Sequence, residues 1–161
     1  MKHKLFIFLL GFFLSPIVYA QGFESWKDLH IYFKKSNFLP ETITIEELNR
    51  LPTLTQLPSD FNELVDVDTK KKLFYLVTLP IIYESNALIL EDRKMIINIE
   101  KKFKRTELNT NEQNEVIRLS KKYKLDYSKI NLTLFKKLKQ RINIIPISLA
   151  LGQAIIESGW G

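Results

Sequence analysis

The amino-acid sequence predicts an all-α fold, and three observations carry that prediction. Residues 23–151 contain no glycine, where average usage of ~7% would place about nine. Sheets rely on glycine at hairpins and bulges, so so long a glycine-free stretch points to helices. Thr44–Glu47 and Thr110–Gln113 both have the spacing of a capping box, in which two side chains satisfy orphan backbone donors at a helix start. Finally, Leu73, Val77, Ile81, Leu88, Met95, Ile99 and Phe103 recur by fours and sevens, the spacing of one helix stripe.

The elements follow in chain order. Ser25 is placed to cap a short helix with Trp26, Leu29, Ile31, Tyr32 and Phe33 as its apolar content, ended by Leu39-Pro40. The Thr44 box opens one or two helical turns, and Leu51-Pro52 and Leu57-Pro58 punctuate the connector that follows. Ser59 or Asp60 is expected to start the next segment. The dominant helix is predicted from about Asp68 to Arg105. Pro80 lies inside it, lacks an amide hydrogen and crowds the carbonyl of Leu76, so a kink or break is expected there. Asn86 and Arg93, seven apart, should share a face, either solvated or in polar contact with a further domain. A helix from Thr110 carries Val116, Ile117, Leu119 and Tyr123. Another spans Leu132 to Ile142, with Lys136, Lys137, Lys139 and Arg141 as a solvated face.

The first twenty residues read as a signal peptide. Lys2 and Lys4 precede an unbroken apolar core from Leu5 to Leu14, and Val18-Tyr19-Ala20 supplies a small-x-small cleavage site. Even through Ala20 the apolar run falls short of the ~20 residues that span a bilayer. The expectation is an exported protein, periplasmic or in the cell envelope, with no stable membrane anchor after cleavage. Its mature chain would begin at Gln21 with 22 basic against 18 acidic residues, a net +4, and His30 as its one histidine. Without cysteine, and with a single histidine, thiolate or multi-His metal sites, Fe–S clusters and a Cys nucleophile are excluded. No cofactor is expected. Nucleic acid is not expected as a partner either, because the lysines are scattered rather than interleaved with stacking aromatics. The net charge suits weak, screened attraction to a polyanionic envelope.

Residues 146–161 carry the chemistry. Pro146 fits a first helical position and Gly159 the left-handed residue that ends a helix. The thirteen residues from Pro146 to Ser158 hold one ionisable side chain, Glu157, and Ala150, Gly152 and Ala154 permit close approach of a neighbour. The reading is a buried helix with one carboxylate at its end. Apolar surroundings and the negative end of a helix both favour the protonated carboxyl, the form that a general acid needs to protonate a glycosidic oxygen. Gln153, one turn earlier, is placed to bind a sugar or hold Glu157, and Trp160 to offer a sugar ring an apolar platform.

The stretch Ile-Pro-Ile-Ser-Leu-Ala-Leu-Gly-Gln-Ala-Ile-Ile-Glu-Ser-Gly-Trp-Gly, ending at Gly161, resembles the opening helix of the glucosaminidase domain in Bax-like bacterial proteins. Upstream, Leu57-Pro58-Ser59-Asp60-Phe61, Lys71-Lys72-Leu73-Phe74, Leu79-Pro80, Asn86 and Arg93 resemble the helical region preceding that domain. The resemblance implies a lysozyme-like peptidoglycan hydrolase with Glu157 as catalytic acid and peptidoglycan glycan strands as substrate. It divides the chain into a signal peptide (1–20), a helical N-terminal region (21–130) and the start of a glucosaminidase domain (131–161). The catalytic domain looks truncated, and Glu84, Glu91 and Asp92 match no family position for a second catalytic group, so this chain is expected to be inactive alone. A non-catalytic helical protein with an interaction or regulatory role in the envelope is the alternative.

Overall fold

The computed structural model describes residues 22–38 and 42–159. The signal-peptide reading of residues 1–20, and Trp160 and Gly161 of the terminal motif, lie outside the described residues. Among the described residues six α-helices and one 3₁₀ turn follow in order: α1 (Trp26–Ser36), α2 (Ile45–Leu48), the turn Phe61–Glu63, α3 (Val67–Phe103), α4 (Thr110–Lys122), α5 (Leu132–Arg141) and α6 (Ile147–Ser158). No strand occurs among the described residues, and the all-α expectation holds.

Local chemistry accounts for the helix starts. The Ser25 hydroxyl accepts the Asp28 amide, Thr44 and Glu47 form the reciprocal capping box, and Asn131 caps α5 through the Leu134 amide. The box at α4 is shifted by one residue from the sequence reading. Asn109 is the cap and Glu112 its partner, while Gln113 donates instead to the Leu108 carbonyl. Asparagine caps as well as threonine, and one residue decides which pair is in register. Asp60 does start the next segment, as the residue before the 3₁₀ turn Phe61–Glu63. Its carboxylate accepts the Trp26 amide at 2.8 Å, tying the start of α1 to the connector, and α3 begins only after Asp66 caps it through Thr69.

Of the kink or break expected at Pro80, the break does not occur, and helix α3 runs unbroken through it. The Pro80 side chain is fully buried, and that burial offsets the missing amide hydrogen. The 37-residue helix is ~55 Å long. Its length and apolar composition are sufficient to cross a membrane; in this fold it is the spine on which the other helices pack. Two hydrophobic clusters share it. The first joins Leu73, Phe74, Leu76, Val77 and Leu79 to Leu29 and Phe33 of α1, Leu48 of α2, Phe61 and Leu151 of α6. The second joins Ile96 and Ile99 to Val116 and Leu119 of α4 and to Leu134, Phe135, Leu138 and Ile142. The predicted stripe is therefore only partly buried: Ile81, Leu88 and Met95 are exposed. Because the two clusters meet α3 on different faces, a single straight stripe cannot serve both.

Polar contacts fasten the second cluster. Asp92, 7% exposed, accepts from Lys122 Nζ at 2.6 Å and Tyr123 Oη at 3.0 Å, with Arg118 at 3.5 Å. Glu100 pairs with Lys139 at 2.6 Å and Lys104 at 3.1 Å. Lys139 thus leaves the solvated face assigned to it, whereas Lys136, Lys137 and Arg141 are exposed as expected.

Candidate functional site

Helix α6 presents the candidate acid, and its sequence explains its form. Pro146, at φ −51°, is the cap rather than the first helical residue. At the other end Gly159 adopts φ 58°, the left-handed conformation that a glycine reaches without a Cβ penalty, and its amide donates to the Ile155 carbonyl at 2.9 Å. Between them Ile147, Leu151, Ala154 and Ile155 pack on the first cluster.

The opposite side of α6 is bare. Leu149 is 63% and Ile156 79% exposed, and a Cβ at Gly152 would meet nothing within 4 Å. The buried-helix expectation is corrected here. One face of α6 lies against α3, while the apolar residues of the other face have no cover among the described residues.

Gln153 and Glu157 sit on that open side. Gln153 Nε2 donates to Glu157 Oε1 at 2.6 Å, one turn along the same face, as their spacing of four requires. The following Ser158 hydroxyl donates to the Ala154 carbonyl at 2.7 Å, which tightens the last turn. Both Gln153 and Glu157 are exposed. Surface hollows of about 520, 290, 240 and 220 Å³ occur elsewhere, and neither residue lines any of the four. The structure brings together the predicted acid and its amide partner on the exposed side of α6.

What positions α6 is a pair of residues whose role the sequence left open. Asn86 reads the backbone of Ile145 twice: its Nδ2 donates to the carbonyl at 2.8 Å and its Oδ1 accepts the amide at 3.0 Å. Two turns along α3, the Arg93 guanidinium donates to the carbonyls of Lys139 and Ile142, at the end of α5. A cation there also suits the negative end of that helix. Asn86 and Arg93 do share a face, as the spacing of seven predicts. That face meets the α5–α6 connector of the same chain. Beside it Tyr83, Ala87, Leu90 and Ile144–Ile147 line the hollow of about 240 Å³. No sequence signal points to this contact, because its acceptors are main-chain atoms 46 to 59 residues away.

No metal-binding cluster of His, Cys, Asp or Glu occurs among the described residues. No protein-family model matches the chain, and no solved structure matches it. The chain is similar to Protein bax of Escherichia coli strain K12, with 30% identity over 112 residues, 69% of this chain. It spans about 37% of the length of that relative.

Proposed function

Taking the chain as Bax-like over those 112 residues, we propose that it is the N-terminal part of an exported peptidoglycan N-acetylglucosaminidase in which Glu157 is the general acid. The observation that supports this reading most directly is the Gln153–Glu157 pair on the uncovered side of α6, within the terminal motif. Glu157 delivers a proton to the glycosidic oxygen as the bond to the leaving sugar breaks. Gln153, bonded to one carboxyl oxygen, orients the group and leaves the other oxygen toward substrate. Glycan cleavage also requires a second carboxylate-type group, as nucleophile at ~5 Å or as base at ~6.5–9.5 Å. In this proposal that group, and the far wall of the cleft, come from the longer protein of which the Bax-like segment is part. Trp160 belongs to the same motif and is assigned to the sugar platform.

The test is hydrolysis of purified cell-wall sacculi by a longer Bax-like protein containing this segment. Replacing Glu157 by Gln should lower the rate by about 10²–10⁴, with an unchanged circular dichroism spectrum. The 161-residue chain should leave sacculi intact. Full activity of the Glu157→Gln protein would remove Glu157 from the mechanism, and hydrolysis by the short chain would overturn the assignment of a missing partner. The exposed position of Glu157, outside the hollows described, favours a second reading for the short chain by itself: a non-catalytic envelope-binding protein.

A further inference from the structure

The two clusters of the fold differ in charge as well as in packing. Residues 89–142, which build the second cluster, contain 15 Lys and Arg against 7 Asp and Glu, a net +8. Residues 22–88 together with 143–159, which build the first, contain 7 against 11, a net −4. The overall charge conceals this division.

Within the basic lobe the principal acids are already engaged. Asp92 holds Lys122 and Arg118, Glu100 holds Lys104 and Lys139, and Glu112 holds Lys102. Lys94 and Lys101, spaced by seven, lie along one face of α3, Arg105 follows in the turn just after it, and Lys136 and Lys137 lie on α5. All five are exposed and outside the ion pairs among the described residues. Like charges within a Debye length of ~10 Å repel one another, a cost that a polyanion removes while releasing its own counterions.

We propose that the α3–α4–α5 lobe is the docking surface for a flexible, base-free polyanion whose charge resides in a chain of phosphates. Lysine predominates among these cations, and it offers point charges suited to diffuse attraction rather than bidentate recognition. The cations are spread over α3, the turn after it and α5, which a flexible chain can follow. Nucleic acid fits less well, since Phe135 is buried, Phe103 and Tyr123 pack on the core, and Tyr127, 38% exposed, lies beneath Lys121 Nζ. Base stacking has little to use there. This inference does not depend on the role of Glu157.

Long-chain inorganic polyphosphate is the probe, titrated against the full 161-residue chain. With about five phosphates engaged, raising NaCl from ~50 to ~200 mM should weaken binding by about a hundredfold. The triple change Lys101→Glu, Lys136→Glu, Lys137→Glu should weaken it more than about tenfold at low salt. The double change Lys34→Glu, Lys35→Glu on α1 should leave it unaltered. The corresponding Lys→Gln triple should act in the same direction, and it decides the matter if charge reversal disturbs the circular dichroism spectrum. Absence of binding at low salt, or equal losses in the α1 variant, overturns the proposal. Tighter binding of oligodeoxythymidylate, or of phosphatidylglycerol vesicles, at matched charge would also overturn it, in favour of a nucleic acid or a membrane.

Discussion

Changing Asp92 to Asn tests whether a buried carboxylate fastens α4 to the spine. The side chain accepts from Lys122 at 2.6 Å and Tyr123 at 3.0 Å, with Arg118 at a weaker 3.5 Å. Hydrogen bonds to a charged group contribute ~1.5–3 kcal/mol each. Asparagine keeps part of one of them, and Lys122 and Arg118, 46% and 48% exposed, can return to water rather than remain stranded. The net cost is then ~2 kcal/mol, below the ~3–5 kcal/mol of a fully buried broken pair, or ~4–8 °C in Tm. Burial by itself would raise the Asp92 pKa, but the hydrogen bonds from Lys122 and Tyr123 and the charges of Lys122 and Arg118 outweigh it, so the carboxyl lies below its ordinary 3.8. The unfolded chain therefore takes up this proton at higher pH than the folded chain. The contribution is complete above the unfolded pKa and is lost as pH falls through the folded one. Circular dichroism melts should show the full gap between wild type and Asp92→Asn at pH 7, narrowing as pH drops below ~4. A gap under ~1 °C at pH 7, or one that persists unchanged in acid, would refute the reasoning.

Replacing Arg93 by Ala removes the donor to the Lys139 and Ile142 carbonyls, and should lower stability by ~2 kcal/mol; hydrogen exchange should rise at the α5–α6 connector more than in α1. Combining it with Asn86→Ala should increase exchange in α6 further, whereas an unchanged α6 would show that the connector does not position it. Burial and the bond to Asp92 push the Tyr123 phenol up to about 12, so ultraviolet titration should show a late tyrosinate step that Tyr123→Phe abolishes. Stability tied to that raised pKa is present below pH ~10 and lost as pH rises toward 12. Gly159→Ala places a Cβ at φ 58° and should cost ~1 kcal/mol, seen as faster exchange confined to the last turn of α6.

Much of this protein is determined locally, and that part can be read from its sequence. Ser25, Thr44 and Asn131 cap helices because their side chains reach an amide three residues on. Gly159 ends α6 because the left-handed conformation excludes most other residues, and Gln153 meets Glu157 because a separation of four is one helical turn. Interactions spanning a few residues leave a pattern in those residues. The tertiary structure decided what depends on distant partners. Pro80 stays within a continuous helix because its ring is buried by packing. The stripe along α3 divides because two clusters approach from different sides. Lys139 is drawn from solvent to Glu100, and Asn86 and Arg93 find main-chain groups of the α5–α6 connector, which carry no side-chain signature at all. The exposure of Glu157 belongs with these: the apolar composition of α6 is local, but which face is covered depends on the surfaces brought against it.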